Sequence, residues 1–182
     1  MSLVLLFILK IEAMIKKTPW IERKFNFDFP VSHFPVIVER MRGTPARIED
    51  MVKNISDEKL RSKKENTWSI KEHIGHLNDL EELHEKRLQE YLDGNDKLTP
   101  ADMTNAKTYG AGYNDKPITD LLEELRGTRN LFIKKIEHLN EEQLNRIALH
   151  PRLQQRIRLV DMFFFVAEHD DQHITTMREL LM

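Results

Sequence analysis

Two histidines four residues apart, His169 and His173, have the clearest capacity for chemistry in this chain. On a helix turning 100° per residue they share one stripe with Met162, Val166, Met177 and Leu180. They stand where core residues should stand, one turn apart, on a seam that faces the interior. Such a pair presents two imidazole nitrogens to a single ion, which is why the spacing recurs in zinc sites on helices. Without an ion, each buried ring has polar nitrogens to satisfy. Two nitrogens do not make a catalytic zinc site, which uses three protein ligands and keeps a position for water. The third has to come from a facing helix, and the stretch from Ile70 to Leu92 offers His73, His76 and His84. Its apolar stripe (Ile70, Ile74, Leu77, Leu80, Leu88, Leu92) runs close to His73 and His84 and leaves His76 roughly 100° to the flank. Periodicity alone favours His73 or His84.

Composition restricts the chemistry from the other side. The 182 residues include eight histidines and no cysteine, which excludes disulfides, zinc ribbons, protein thiol nucleophiles and iron–sulfur clusters. Transition-metal chemistry then falls to histidine with carboxylate help. A net charge of −2 gives no basic footprint for nucleic acid. The length suits one domain with one sizeable core. Only 6 glycines and 7 prolines in a chain that is 32% charged point to helices rather than a turn-rich β fold.

These residues need helices to position them. Trp20 to Pro30 is aromatic and extended, and Pro30 and Pro35 hold off helix until about Val36. A short apolar face (Ile37, Val38, Met41) follows. Gly43 interrupts it, and Thr44 as N-cap with Pro45 as first helical residue restarts a helix carrying Ile48, Met51, Val52 and Ile55. Ser69 and Glu72 read as a capping box opening a second helix that runs to about Leu92, where Asp93-Gly94-Asn95-Asp96 stops it. A loop from Lys97 to Lys116 contains Asn105, Tyr109, Tyr113 and Asn114, candidates for a substrate-binding lid. The third helix opens at Pro117 and Thr119 and is amphipathic through Leu139. His150-Pro151 lies in the next connection, and a fourth helix from about Leu159 to Leu181 is apolar on nearly every side. The expected fold is all-α: an antiparallel four-helix bundle with longer connections after helices 2 and 3. Residues 1–30 form a partly extended N-terminal extension and residues 31–182 a single bundle domain. The apolar run Leu3–Leu9 lacks a signal peptide's flanks and is far short of the ~20 residues of a membrane span, so a cytoplasmic protein with no membrane partner is expected.

The segment Trp68-Ser69-Ile70-Lys71-Glu72-His73-Ile74-Gly75-His76-Leu77, followed by Glu81 and Arg87, resembles the first conserved block of the DinB/YfiT-like superfamily of metal-binding four-helix bundles. Ala167-Glu168-His169-Asp170-Asp171-Gln172-His173 resembles its second. The resemblance implies that the histidine before leucine in the first block, His76, is the third ligand. It thus implies a His76, His169, His173 triad holding zinc, nickel or a similar divalent ion, with water completing the shell. His73 and His84 then become core or ligand-supporting residues, and His33, His138 and His150 surface or loop residues. Glu168, Asp170 and Asp171 are candidates for holding a ligand's far nitrogen, or face solvent. The implied activity is hydrolysis of a small molecule through metal-activated water. The alternatives are a bacillithiol-type transferase, whose low-molecular-weight thiol arrives with the substrate, and a non-catalytic stress-response bundle in which metal is a staple. Glu72, one turn before His76, is a candidate base, with helix capping as its competing role. Tyr109, Tyr113 and Asn114 are candidate substrate contacts. The family's habit and the apolar N-terminal run favour a homodimer, and no nucleic-acid partner is expected.

Overall fold

In a computed structural model, which describes residues 17–64 and 67–182, Gly43 divides the first helical stretch in two, and the first part begins at Phe34 rather than Val36. The run Leu3–Leu9 lies outside the described residues. Helix α1 (Phe34–Arg42) carries Pro35 in its first turn, where a missing N–H leaves no bond unmade. Helix α2 spans Thr44–Val52. Gly43, not Thr44, holds its cap position, because the Thr44 hydroxyl turns inward to Asp170 at 2.7 Å. After a short α3 (Asp57–Arg61), the capping box forms as read: the Ser69 hydroxyl accepts from the Glu72 amide and the Glu72 carboxylate from the Ser69 amide.

The helix opened by that box is not continuous to Leu92. It runs as α4 (Ile70–Asp79), breaks at Leu80 and resumes as α5 (Glu81–Leu92). The following loop contains a short helix, α6 (Ala106–Gly110). Two long helices match their expected bounds closely, α7 (Ile118–Ile136) and, beyond a short α8 (Glu141–Leu144), α9 (Leu159–Leu181).

The expected all-α fold needs one correction. The connection before α9 folds into an antiparallel hairpin, β1 (Ile147–His150) with β2 (Gln155–Arg158), in register from Ile147 opposite Arg158 to His150 opposite Gln155. The strands are four residues each, too short for a readable alternation, and the turn contains no glycine. Gln154 adopts the left-handed conformation instead. The loop after α5 is tied to this hairpin: the Leu149 amide donates to Asp96 O at 2.8 Å and the Leu98 amide to Leu149 O at 3.1 Å. The protein is thus mostly helical with a small two-stranded sheet. Among the described residues no helix is long and apolar enough to cross a membrane.

Helix α7 packs against α1, α2, α4 and α5, and α9 against α1, α2, α4 and β2. The apolar side chains between them form two clusters rather than one. The first includes Met41, Leu88, Phe132, Ile157 and Phe163; the second includes Ile48, Ile74, Leu77, Leu125 and Met177. Each long segment passes through a polar layer between them: Glu81 between Leu77 and Leu88, Arg129 between Leu125 and Phe132, Asp170 between Ala167 and Met177. The histidines of interest sit at this level. The extended N-terminal stretch lies across α9, with Trp20 5.0 Å from the Phe165 ring and Arg158 donating to the Phe27 and Phe29 carbonyls.

Candidate metal centre

The rotation of α9 is fixed by the residue beside the first ligand candidate. Asp170 is fully buried and receives two guanidinium nitrogens of Arg129 and the Thr44 hydroxyl. Arg129 in turn donates to Glu81 at 2.7 Å and to the Met41 carbonyl at 3.1 Å, so every face of this buried cation is compensated. Burial favours neutral groups, but the paired Arg129 holds the Glu81 carboxyl down at about 2. Glu168 meets Arg23 and Arg40, and Asp171 meets Arg40 and Arg47. Neither expectation for these three acids holds: each pairs with arginine rather than a ligand ring, and none is solvent-exposed. They anchor α9 to the neighbouring elements, and with Asp170 turned toward Arg129, His169 and His173 are left facing a cavity.

There His76, His169 and His173 each offer one ring nitrogen, and these nitrogens lie within 4.8 Å of one another. His169 Nε2 and His173 Nε2 are 3.0 Å apart. The second nitrogen of two of the rings is engaged elsewhere. His173 Nδ1 is 2.8 Å from His73 Nδ1. His76 Nδ1 is 3.1 Å from the Thr108 hydroxyl, which donates to Asp79 at 2.9 Å, and Tyr113 OH donates to the other Asp79 oxygen at 2.6 Å. This relay leaves Thr108 able to accept from His76 Nδ1–H, which directs the lone pair of the opposite nitrogen inward.

The donor set fits a divalent cation. Burial lowers His73 and His76 to about 4 and His169 and His173 well below the usual histidine range, so all four rings are neutral and can act as ligands at pH 7. The 3.0 Å between the two Nε2 atoms is the span of two nitrogens bound to one ion at ~2.0–2.1 Å and roughly a right angle. His169 Nδ1 and His73 Nε2 are buried without a hydrogen-bond partner, so the hydrogen bonds of the described protein alone do not satisfy this cluster.

The cavity beside the cluster has a volume of about 450 Å3 and is lined by all four of these rings together with Trp20, Trp68, His84 and Phe165. Trp68 packs on His76 at 4.5 Å and stacks near His173 at 6.1 Å, while Trp20 lies 5.0 Å from His169. The remaining candidates divide. Glu72 does not line the cavity: its oxygens take the Ser69 amide and Lys63, so it caps the helix and pairs with a lysine. Tyr113 is buried with its ring against Gly75, where an added Cβ would stand 2.4 Å away. Asn114 accepts from the Ser69 hydroxyl at 2.6 Å. Tyr109 is exposed and touches the site only through Trp68, at 5.8 Å. The structure thus gives Tyr113 and Asn114 structural contacts and brings neither into the cavity. Asn105 does line it.

His33 and His138 are exposed, as expected. His150 is not: it is 1% exposed, lines the cavity and packs 4.8 Å from Phe165, because the hairpin folds the supposed loop inward. Trp20, Thr108, His150 and Arg152 went unrecognised in the sequence. Trp20 lies in a single 3-10 turn, Thr108 in the five-residue α6, His150 at the end of the four-residue β1 and Arg152 in the hairpin turn, all too short for periodicity to mark an inward-facing side chain.

Residues 40–177 match the family model of the DinB superfamily. Among solved structures, one match is described as "YfiT from Bacillus subtilis is a probable metal-dependent hydrolase with an unusual four-helix bundle topology". It superposes with a TM-score of 0.76 at 18% sequence identity, over 87% of this chain and 91% of that one, a likeness of fold. No curated protein sequence matches the chain significantly.

Proposed function

The chain belongs to the DinB superfamily, and from that premise we propose that it is a divalent-metal-dependent hydrolase whose ion is held by His76, His169 and His173. One observation carries the reading: three neutral ring nitrogens converge within 4.8 Å at the wall of a cavity large enough for a small substrate. The similar YfiT is described as a probable metal-dependent hydrolase, which agrees. Zinc or nickel suits three imidazoles. When bound, such an ion supplies Lewis acidity, polarising a carbonyl and lowering the pKa of a water.

The chain's own residues do the rest. Thr108 and His73 hold the ligand rings in one tautomer and orientation. The Arg129–Asp170 pair keeps α9 in the rotation that aims His169 and His173 at the cavity. Trp20 and Trp68 cover the rings with apolar surface, which restricts water. The same reading places the protein in the cytoplasm, acting on a small molecule, with its four helical spans antiparallel and two copies forming a homodimer.

The test is a panel of activated esters and amides, run beside thiol–electrophile conjugation, with metal-stripped and reconstituted protein. Hydrolysis restored by zinc or nickel, and absent from a folded His169→Ala protein, upholds the reading. Equal rates with and without metal, or turnover only when a low-molecular-weight thiol is supplied, overturn it; the latter outcome assigns the transferase.

A further inference from the structure

The cavity has a second set of polar groups, away from the three ligand candidates. Arg87 is 4% exposed, and no carboxylate pairs with it among the described residues. Its Nε donates to Thr99 O at 3.0 Å, and its Nη1 faces His150 Nε2 at 3.3 Å. Arg152 also lacks an acidic partner among the described residues. Its guanidinium lies 4.5 Å over the Trp20 ring and 5.3 Å over Phe165, one nitrogen donates to Trp20 O, and Nη1 is buried with no hydrogen-bond partner.

His150 sharpens the point. The Leu153 amide faces its Nδ1 at 3.3 Å and Arg87 Nη1 its Nε2 at 3.3 Å, and burial holds the ring's pKa at about 3, so the neutral ring has one lone pair for two donors. In either tautomer one of these two contacts sets donor against donor, and one N–H beside the ring is left without an acceptor. Burial also pushes the Arg87 guanidinium down to about 10, although nearby Glu90, whose oxygens accept from the Thr99 amide and hydroxyl, works in the opposite direction. Among the described residues the one acidic residue on the cavity wall, Asp102, already accepts from Thr104 and the Ala106 amide. Two buried or half-buried cations thus line one side of the cavity beside a ring that offers them at most one lone pair. An oxyanion supplies what they lack: charge for the guanidiniums and lone pairs for every donor.

We infer that the cavity takes a small molecule bearing an oxyanion, carboxylate or phosphate, which sits among Arg87, Arg152 and His150 while the rest of the molecule lies along the Trp20 and Phe165 rings toward His169. The Trp20 ring contacts both the Arg152 guanidinium and His169, so one indole separates the anion seat from the histidine cluster. The inference rests on the hydrolase reading of this cavity and names its substrate class: anionic small molecules with the scissile group one aromatic width from the charge.

The experiment uses the full chain stripped of metal, titrated with benzoate, phenyl phosphate and the uncharged benzamide. Fluorescence is the readout, because the chain has 2 tryptophans and both line the cavity. At least one anion is expected to bind tenfold or more tighter than benzamide, with the gap narrowing as salt rises. Arg87→Gln and Arg152→Gln should each close most of that gap. Arg152 is only half-buried, so its variant keeps the test available where Arg87→Gln fails to fold. Tighter binding of phenyl phosphate assigns the seat to phosphate, and of benzoate to carboxylate. Equal binding of benzamide and both anions, or a gap that survives both substitutions, overturns the inference. No metal is present, so anion binding by a protein without hydrolytic activity leaves the seat standing and removes only the hydrolase reading.

Discussion

Replacing Thr108 with valine isolates the hydrogen bond that orients His76. Valine keeps the shape of the side chain and removes the hydroxyl, which both faces His76 Nδ1 at 3.1 Å and donates to Asp79 at 2.9 Å. Two effects follow. His76 is buried, so its Nδ1–H loses its only acceptor among the described residues, and an unsatisfied buried donor costs about 1–3 kcal/mol. Asp79 keeps the Tyr113 hydroxyl and Lys107, so its own loss is smaller. The second effect concerns the ion. Losing a partner that fixes a ligand histidine's tautomer lowers metal affinity by roughly 10–100-fold, or ~1.4–2.7 kcal/mol. The assay is competition for zinc against a chromophoric chelator, with urea unfolding of the metal-free and zinc-loaded proteins beside it. The expected result is a weaker zinc affinity and a larger stability loss in the loaded protein than in the stripped one. Unchanged affinity, with the same stability loss in both forms, would refute the orienting role and leave Thr108 a packing residue.

Other perturbations test the scaffold. Gly75→Ala puts a Cβ 2.4 Å from the Tyr113 ring, whose hydroxyl is tied to Asp79, and overpacking of this kind costs about 1–3 kcal/mol; urea unfolding at wild-type midpoint would contradict it. Arg129→Gln strands two buried carboxylates, Glu81 and Asp170, and is expected to destabilise by about 3–5 kcal/mol; a loss below ~1 kcal/mol in urea would show that the pair does not anchor α9. Acid should weaken the metal-free protein. His73 and His76 protonate near 6.5 when unfolded and only at about 4 when folded, so the unfolded chain binds more protons between those values and stability falls as pH drops through that window. Each ring contributes on the order of 3 kcal/mol. Urea midpoints that stay level from pH 7 to pH 4.5 would contradict this.

Much of the centre could be read from residue types and spacing, and the part that could not has physical reasons. The bounds of α9 and the inward turn of His169 and His173 follow from one long apolar helix with a clean period. His76 was different: the helical wheel pointed to His73 or His84, and only the motif resemblance pointed to His76. The wheel fails because α4 has no solvent face at this level. Every residue from Ile70 to Leu77 is buried, with Lys71 reaching the Lys116 carbonyl, Gly75 under Tyr113 and His76 beside Thr108. The loop from Lys97 to Lys116 covers what a simple bundle would leave open, so apolar periodicity stops reporting which side is the interior. The roles of Glu168, Asp170 and Asp171 depend on arginines 41 to 145 residues distant in sequence, beyond any local pattern. His150 and Arg152 face inward because a glycine-free hairpin turns them there.

Whether His76, His169 and His173 hold one divalent ion is tested most simply by counting metal. The protein should be purified without a metal-affinity step, stripped, dialysed against zinc or nickel, and measured by elemental analysis beside folded His76→Ala, His169→Ala and His173→Ala proteins. About one ion per chain is expected in the unmodified protein and a small fraction of that in each variant. Less than a few tenths of an ion per chain in the unmodified protein, or full loading in all three variants, would contradict it.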